Sequence, residues 1–225
     1  MKRQAAEAAV EYVQAGNVVG LGTGSTAGYV IVALGERVRK GLKISGVATS
    51  HETARLAREH GIALVDDDEW CPDIAIDGAD QVDPQLHLIK GGGGALLKEK
   101  IVAGSARQFI VVVDDSKRVP VLGHHVPLPV EVVPFGWGCT AREIERIGYK
   151  SVIRRRDGQY FKTEAGHYIL DVHIDRIDDP RGLEILLNAI PGVVETGLFV
   201  DRTDVLIVGG PDGVTVHTRP ATRRD

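Results

Sequence analysis

Cysteine is scarce in this sequence, with only Cys71 and Cys139 among 225 residues. Neither cysteine belongs to a Cys-x-x-Cys pair or to a Cys/His cluster, so the sequence supports neither a disulfide framework nor a zinc site. We therefore expect two reduced and partly buried thiols, as in a cytoplasmic protein.

Long apolar runs and long basic runs are missing as well. No apolar stretch approaches the roughly 20 residues that span a bilayer. The N-terminal segment mixes alanines with glutamates, which indicates an amphipathic helix rather than a signal peptide. The net charge is −4, and no basic run precedes the last few residues, which disfavours a nucleic-acid partner. These absences predict a cytoplasmic protein that acts neither on a membrane nor on nucleic acid.

The first half of the sequence alternates short apolar runs with helical stretches. Strand candidates such as 17–21 (NVVGL) and 109–113 (FIVVV) are separated by amphipathic segments such as 25–40. Apolar runs without strict alternation are typical of strands that are covered on both faces. This half therefore predicts an α/β fold with a doubly wound, mostly parallel, Rossmann-like sheet.

The second half follows a different pattern. Its predicted elements are, in order, a strand at 130–133, a helix at 137–147, strands at 151–155 and 168–174, a helix at 180–189 and a strand at 193–199. This β-α-β-β-α-β order is that of an α+β ferredoxin-like domain. Two last strands, 204–208 and 214–218, are predicted to rejoin the first sheet. We therefore predict a Rossmann-like catalytic domain over 1–128 plus 204–225, and a smaller inserted ferredoxin-like domain over 129–203.

The first of three loops suited to chemistry is the glycine-rich turn 20–26 (GLGTGST), which joins a strand to a helix. Its glycines allow close approach of the backbone to a ligand, and a helix N-terminus attracts anions. Thr23, Ser25 and Thr26 add hydroxyl donors. This turn favours a phosphate group as its ligand.

Two other interpretations of that turn stay open. The spacing Gly22-x-Gly24-x-x-Ala27 fits a dinucleotide fingerprint, but the fingerprint expects an acidic residue at the end of the second strand. That strand ends instead at Thr49-Ser50. The turn also fits a tight strand-to-helix connection with a helix cap and no ligand.

The second loop, 77–83 (DGADQVD), places Asp77 and Asp80 at the carboxyl end of a predicted strand, 73–76. Ligands bind at that edge of open α/β sheets. Two acids at this spacing can hydrogen-bond sugar hydroxyls, relay a proton, hold Mg²⁺ or cap turns of a polar loop. The spacing also resembles part of a calcium loop, but the later glycine and the closing glutamate are missing.

The third loop lies in 90–100 (KGGGGALLKEK). Four successive glycines lose much conformational entropy on ordering, which a fold tolerates where a ligand must approach the backbone closely. Their amides can form an oxyanion site, and Lys90 supplies a cation at the entrance of the loop.

Glu99 lies in the helix predicted after this loop. Helical spacing places it on the same side as Leu96 and Ala103, in a row that is otherwise apolar. Partial burial there would raise the pKa of the Glu99 carboxyl toward neutrality, which suits a general base. The alternative is a solvated glutamate between two lysines. Lys117 follows the strand 109–113 and is either a further cation at the same sheet edge or a surface residue.

Taken together, these motifs resemble the type A family of ribose-5-phosphate isomerases. The matching segments follow the family's order through nearly the whole chain: GLGTGST (20–26), DGAD (77–80), KGGGGALLKEK (90–100), DDSK (114–117), PLPVEVVP (127–134), NAIPGVVETGLF (188–199) and GGPDGV (209–214). The departures, a fourth glycine at Gly94 and the pair Leu97-Lys98, remove no functional group.

The resemblance implies interconversion of D-ribose 5-phosphate and D-ribulose 5-phosphate through an enediolate, the non-oxidative pentose phosphate step, by a homodimer or homotetramer without metal or organic cofactor. It implies that Glu99 is the base, and we predict catalytic roles for Asp77, Asp80 and Lys90 as well. The implied substrate site contains Thr23, Gly24, Ser25, Thr26, Asp77, Gly78, Ala79, Asp80, Lys90, Gly91, Gly92, Gly93 and Lys117, with Lys2 near the phosphate.

Three competing functions share parts of this pattern. A hexosamine-phosphate isomerase/deaminase and a CoA transferase use the same scaffold, and a CoA transferase would use its glutamate as a nucleophile. A non-catalytic sugar-phosphate sensor is the third. Such a regulator needs a DNA-binding module, and we see no spare length for a helix-turn-helix in this sequence.

Overall fold

The computed structural model describes residues 1–65 and 70–219. Its helices are α1 (Lys2–Val10), α2 (Ser25–Arg39), α3 (His51–Glu59), α4 (Leu96–Ser105), α5 (Trp137–Arg146) and α6 (Pro180–Asn188), with a 3₁₀ helix at Asp115–Lys117. Its strands are β1 (Val18–Leu21), β2 (Ser45–Ala48), β3 (Ala63–Leu64), β4 (Ile74–Asp77), β5 (Gln81–Val82), β6 (Leu88–Ile89), β7 (Gln108–Asp114), β8 (Leu128–Val132), β9 (Lys150–Ile153), β10 (Arg155–Arg156), β11 (Gln159–Tyr160), β12 (Tyr168–His173), β13 (Val193–Thr196), β14 (Leu198–Phe199), β15 (Val205–Gly210) and β16 (Gly213–Thr218).

The chain divides into two compact units. The first unit takes the described residues of Met1–Ala79, Lys98–Lys117 and the chain from Arg202 onward. The second unit takes Asp80–Leu97 and Arg118–Asp201. The last six residues of the predicted catalytic domain, 220–225, lie outside the described part of the chain.

The first unit is built on a seven-stranded sheet with the strand order β16-β15-β7-β4-β1-β2-β3. Neighbouring strands from β15 to β3 pair in parallel, and β16 pairs antiparallel with β15 at the edge. The prediction of a doubly wound, mostly parallel sheet is confirmed.

The two faces of this sheet pack against different helices. Alternate residues such as Val19 and Ile76 join the core under α1, α2 and α3, where they are almost fully buried. On the opposite face, a Cβ built on Gly20 would lie 2.5 Å from Val102 Cγ1 in α4 and 2.9 Å from Ala75 Cβ. Glycine and alanine therefore allow α4 to approach the strands closely.

The second unit contains the predicted ferredoxin-like fold. Its four-stranded antiparallel sheet has the order β13-β8-β12-β9. Alternate strand residues such as Val130 and Leu170 are fully buried in one core with Ile144 of α5 and Leu187 of α6. The α+β prediction for this part of the chain is therefore confirmed.

The predicted single strand 193–199 is wrong, because it is divided between two sheets. β13 ends at Thr196, and β14 then pairs antiparallel with β6 in a separate sheet of order β14-β6-β5. The chain crosses at Gly197, where a Cβ would lie 2.3 Å from the carbonyl oxygen of Lys90. Only glycine permits this approach. The crossing leaves no mark on the hydrophobic periodicity of the sequence, so the periodicity does not predict it.

This small sheet is also why the compact units differ from the predicted boundaries at 128 and 204. β5 and β6 pair with each other and with β14, so they belong to the second unit. Sequence periodicity does not reveal such two-residue strands. The predicted division into a catalytic domain and an inserted ferredoxin-like domain stays a prediction.

Both cysteines are free and exposed, so the expectation of partly buried thiols is wrong.

In the described part of the chain, no helix combines the length and the apolar character needed to cross a bilayer.

His87 bridges two carboxylates in the second unit. Its Nδ1 lies 3.2 Å from Asp83 Oδ2, and its Nε2 lies 3.3 Å from Asp201 Oδ1. The hydrogen bond to Asp83 raises the pKa of His87, which outweighs the opposing effect of burial. The protonated histidine thus holds the β5–β6 turn to the segment that follows β14.

We predict that His87→Gln destabilises the protein in acid but not in alkali. Because the folded-state pKa is raised, the stabilisation is complete below the unfolded pKa of about 6.5 and is lost as pH rises through the folded value. Urea unfolding is expected to show a loss of about 1 kcal/mol at pH 5.5 and none at pH 9. His173→Gln, at an exposed position in β12, is the control. Equal losses at both pH values would contradict the prediction.

Candidate active site

The strand order places a switch point between β1 and β4. The chain passes from β1 to β2 on one side and later returns to β4 on the other side. In open α/β sheets, ligands bind at such a point, outside the carboxyl ends of the strands. The turn Gly22–Gly24 follows β1, and Asp77 ends β4, so both lie at this edge.

Asp77 holds the glycine-rich turn in place. Its Oδ1 accepts hydrogen bonds from the Thr23 N–H at 3.1 Å and from the Gly78 N–H at 2.7 Å. A Cβ on Gly22 would lie 2.1 Å from Asp77 Cγ, so only glycine fits beside this carboxylate. The buried Asp77 therefore fixes the path of the backbone between β1 and α2.

The Thr23 hydroxyl lies in a cluster of hydroxyl groups. Thr23 Oγ1 is 2.7 Å from Thr49 Oγ1, 2.9 Å from Ser50 Oγ and 3.2 Å from Thr53 Oγ1. Thr53 Oγ1 also donates to the Gly22 carbonyl at 2.8 Å. Thr49, Ser50 and Thr53 lie outside the predicted set of site residues. The available signal was that Thr49-Ser50 ends a neighbouring strand at the same edge.

The N-terminus of α2 differs from that of α3. Ser50 caps α3 by accepting a hydrogen bond from the Thr53 N–H at 3.1 Å. α2 begins at Ser25 after Gly24, whose φ is +104°, and none of the described side chains caps it. The first backbone N–H groups of a helix have no partner inside the helix, so α2 offers them to an anion at the sheet edge.

Lys2 lies close to this helix end, and Asp114 connects it to the charge of a second lysine. Lys2 Nζ donates to Ser25 Oγ at 3.0 Å and lies 3.7 Å from Asp114 Oδ2. The largest single influence on the pKa of Asp114 is burial, which by itself would raise it. Hydrogen bonds from Ser116 and the nearby charges of Lys2 and Lys117 outweigh it, so the pKa is lowered overall. The structure thus brings the predicted residues Lys2, Ser25 and Lys117 together around Asp114.

Thr26, Gly78 and Ala79 complete the predicted residues of the first unit at this edge. A Cβ on Gly78 would lie 3.7 Å from the Thr26 side chain, so these two residues are neighbours. Ala79 follows directly and is half-buried. The predicted phosphate turn and the loop after β4 are therefore in contact within one unit.

Glu99 lies in α4 and is only 6% exposed. Leu96 and Ala103, the neighbours that helical spacing assigns to its side, are also buried. The predicted burial of Glu99 is confirmed, and the alternative of a solvated glutamate is wrong. Its neighbour Lys100 is buried as well.

The direction of α4 places Glu99 toward the carboxyl edge of the sheet. At the other end of α4, Cys71 Sγ donates to the Ser105 carbonyl at 3.3 Å, and the Arg107 N–H donates to the Pro72 carbonyl at 3.0 Å. These contacts lie before the amino end of β4. Six residues of helix carry Glu99 about 9 Å from Ser105 toward the opposite edge.

The second unit holds Asp80 and Lys90. Asp80 Oδ2 accepts a hydrogen bond from the Gly92 N–H at 2.8 Å. The Lys90 N–H donates to the Gly197 carbonyl at 2.8 Å, and its buried Nζ lies 5.6 Å from the centre of the Phe199 ring. A hydrogen bond therefore joins Asp80 directly to the loop Gly91–Gly94, which we call the glycine loop.

The glycine loop has structural reasons for two of its four glycines. Gly91 and Gly94 have φ values of +102° and +91°, which other residues rarely adopt. A Cβ on Gly94 would lie 2.5 Å from the Phe161 ring, and one on Gly91 would lie 3.1 Å from Leu96. Gly92 and Gly93, between them, are exposed.

Arg154 is a neighbour of the glycine loop that lies outside the predicted set of site residues. Its Nη1 donates to the carbonyl of Gly91 at 2.8 Å and to that of Gly92 at 3.2 Å, while its guanidinium also pairs with Asp171. No sequence signal distinguishes Arg154, because it is the first of three consecutive arginines and lies far from the loop in the chain.

The arrangement of side chains gives no support to the magnesium and calcium interpretations of the loop 77–83. Among residues 1–65 and 70–219, no group of three or more His, Cys, Asp or Glu side chains is arranged to hold a metal ion.

Comparison with known proteins connects this geometry to one family. Residues 45–213 match the family model of ribose 5-phosphate isomerase A (phosphoriboisomerase A). A ribose-5-phosphate isomerase A from Gloeobacter violaceus is 51% identical over 98% of this chain and 97% of the relative. One from Jannaschia sp. is 50% identical over 97% of this chain and 86% of the relative.

Solved structures agree with these sequence matches. Ribose 5-phosphate isomerase A from Methanocaldococcus jannaschii superposes with a TM-score of 0.93 at 44% identity, and covers 97% of this chain and 98% of its own. A D-ribose-5-phosphate isomerase in complex with phospho-erythronic acid also gives a TM-score of 0.93, at 42% identity and with 97% of each chain covered.

We predict that Gly22→Ala destabilises the first unit. The added methyl group would overlap the buried Asp77 carboxyl, and such overpacking costs about 3 kcal/mol. Gly28→Ala in α2 is the matched control, because a Cβ there meets only Leu56 Cδ2 at 3.8 Å. It should change stability by less than about 1 kcal/mol. Urea unfolding measures both variants, and equal stability of the two would contradict this account of Gly22.

Proposed function

The chain belongs to the ribose 5-phosphate isomerase A family and is an isomerase, and on this premise we propose that it interconverts D-ribose 5-phosphate and D-ribulose 5-phosphate. The observation that carries the proposal is the placement of Glu99 in the first unit. A buried carboxylate lies toward the same sheet edge as a helix N-terminus suited to phosphate. Proton transfer on a phosphorylated sugar needs these two features together.

In the proposed reaction, Glu99 takes the proton from C2 of the open-chain aldose. The electrons of that C–H bond form the enediolate, and the proton returns to C1 to give the ketose. A proton moves from O2 to O1 in the same conversion. A positioned carboxylate suits this task because general bases act over hydrogen-bond distances and need a fixed geometry.

The phosphate group is proposed to bind the turn before α2. Free N–H groups at the helix N-terminus and the positive end of its dipole favour a dianion. Gly24, Ser25 and Thr26 are the proposed contacts, with the Thr23 backbone held by Asp77. Lys2 and Lys117 add two positive charges around Asp114.

We also propose roles for the remaining predicted residues. Ring opening needs a carboxylate that moves a hydroxyl proton, and Asp77 and Asp80 are the candidates. Lys90 and the amides of Gly91, Gly92 and Gly93 are proposed to stabilise the negative oxygen of the enediolate. Gly78 and Ala79 are proposed to contact the substrate through their backbone.

The known ligand of a relative supports a sugar phosphate as the ligand of this chain. Phospho-erythronic acid, bound in one of the similar structures, is a phosphorylated sugar acid. We extend that chemistry to the substrate proposed here. The pentose phosphate pathway and the dimer or tetramer remain predictions from the resemblance, and the cytoplasmic location remains a prediction from composition.

The decisive assay measures conversion of ribose 5-phosphate to the ketose by purified protein in the presence of EDTA. Turnover is expected, since no proposed step uses a metal. Conversion of a different sugar phosphate, with none of ribose 5-phosphate, would contradict the substrate. A covalent thioester detected by mass spectrometry after incubation with acyl-CoA would favour the CoA transferase instead.

We predict that Glu99→Gln lowers kcat by roughly 10²–10⁴-fold, because the amide keeps the shape of the side chain but cannot accept the proton. The Tm and the affinity for inorganic phosphate should stay close to those of the wild type. Glu36→Gln, at an exposed position in α2, is the control and should retain wild-type turnover. Turnover near normal in the Glu99 variant would exclude this residue as the base.

We predict that Lys2→Ala raises KM for ribose 5-phosphate by about tenfold and leaves kcat nearly unchanged. The lysine contributes charge near the phosphate and does not take part in proton transfer, so uniform binding is lost. The effect should shrink as salt is added. Arg3→Ala removes a neighbouring charge that pairs with Glu7, and it should leave KM unchanged. A larger loss in kcat than in KM would contradict this role for Lys2.

A further inference from the structure

Arg154 contacts the glycine loop from the side opposite to two of its amides. Its guanidinium donates to the carbonyls of Gly91 and Gly92 at 2.8 Å and 3.2 Å. In a trans peptide, the C=O of one residue and the N–H of the next point in opposite directions. Two successive carbonyls held on one side therefore turn two successive N–H groups, of Gly92 and Gly93, to the other side.

The Gly92 amide confirms this orientation. Its N–H donates to Asp80 Oδ2 at 2.8 Å. A Cβ on Gly92 would lie 3.1 Å from both oxygens of that carboxylate, so Asp80 lies close to this exposed glycine. Arg154 thus acts on the Asp80 carboxylate through a single peptide group.

Asp171 and the local backbone hold Arg154 in place. Arg154 Nε donates to Asp171 Oδ2 at 2.9 Å, and its Nη2 donates to Asp171 Oδ1, which gives a bidentate pair. The Arg154 N–H donates to the Ile169 carbonyl at 2.8 Å, and its carbonyl accepts from the Phe161 N–H at 2.9 Å. The side chains of Arg154 and Asp171 are only 14% and 18% exposed. A planar guanidinium in this position suits both a carboxylate and two carbonyl oxygens, whereas an ammonium group does not.

Phe161 supports the far end of the loop. Its ring lies against Gly94, where no Cβ fits, and it lies 5.9 Å from the Arg154 guanidinium carbon. The loop is therefore held at Gly91 and Gly92 by hydrogen bonds from Arg154, and at Gly94 by packing and by the Gly94 N–H, which donates to the Gly91 carbonyl at 3.0 Å. The exposed Gly93 lies between these fixed points.

We propose that Arg154, oriented by Asp171, is a positioning residue of the active site. It turns the Gly92 amide toward Asp80 and presents the Gly93 amide as the donor to the negative oxygen of the enediolate. The last role rests on the proposed function, because it needs an enediolate. The orientation of the two amides does not depend on it.

The experiment compares Arg154→Ala with the wild type in steady-state kinetics on ribose 5-phosphate. Loss of an oriented oxyanion donor costs roughly 10²-fold in kcat, with a much smaller change in KM. Guanidinium, added well below unfolding concentrations, should restore part of the lost kcat by occupying the vacated position. Arg155→Ala is the matched control, because Arg155 is exposed and its side chain contacts Gly158 and Tyr160. It should keep wild-type kcat.

Wild-type kcat in Arg154→Ala would overturn the proposal, as would an equal loss in Arg155→Ala or a loss that guanidinium does not restore. If Arg154→Ala does not fold, Arg154→Lys takes its place. The lysine variant keeps the charge but loses the planar guanidinium that donates to several oxygens at once, so we expect a lower kcat at an unchanged Tm. Wild-type kcat in the lysine variant would equally overturn the proposal.

A second measurement separates this proposal from the proposed function. Without substrate, the amide resonances of Gly92 and Gly93 should shift in Arg154→Ala and stay unchanged in Arg155→Ala. If the wild type does not isomerise ribose 5-phosphate, the proposed function fails, while shifted resonances still support the positioning of the loop. Unshifted resonances would overturn the positioning role, whatever the activity.

Discussion

The first unit depends on one buried interaction, the acceptance of two backbone N–H groups by Asp77. This carboxylate ends β4 and fixes Thr23 and Gly78 at the point where the strand order reverses. Because the carboxylate fills the space beside the turn, residue 22 has room only for a hydrogen. The path of the backbone into α2 follows from this contact. The orientation of the helix N-terminus, which suits an anion, follows from that path.

A second constraint acts through the opposite face of the same sheet. Gly20 and Ala75 leave room for Val102, so α4 packs closely on β1 and β4. This packing buries the helix face that also carries Glu99. A buried carboxylate is costly unless its surroundings compensate for the lost hydration, so its burial in an enzyme points to a functional role. Core packing and the proposed chemistry thus share one helix.

The second unit shows how a flexible sequence becomes a fixed loop. Four glycines alone would sample many conformations, and their ordering is unfavourable. The carbonyls of two of them are held by Arg154, one N–H is held by Asp80, and Gly94 packs under Phe161. The first of these peptide groups, between Gly91 and Gly92, is held on both sides, at its carbonyl by Arg154 and at its N–H by Asp80. Such preorganisation is what makes backbone amides effective donors to a developing charge.

The sequence by itself determined the fold class, the ferredoxin-like order of the second half and the family, and it placed Glu99 in an apolar helical row without deciding its burial. These properties depend on local periodicity and on motifs that are continuous in the chain. Only the tertiary structure decided the crossing between sheets at Gly197 and the contacts of Arg154 with the glycine loop. It also decided that residues 80–97 belong to the second unit, because the two-residue strands β5 and β6 pair there. Those features join residues far apart in the chain, and their cause is steric fit or a single hydrogen bond. Neither cause leaves a period or a motif in the sequence.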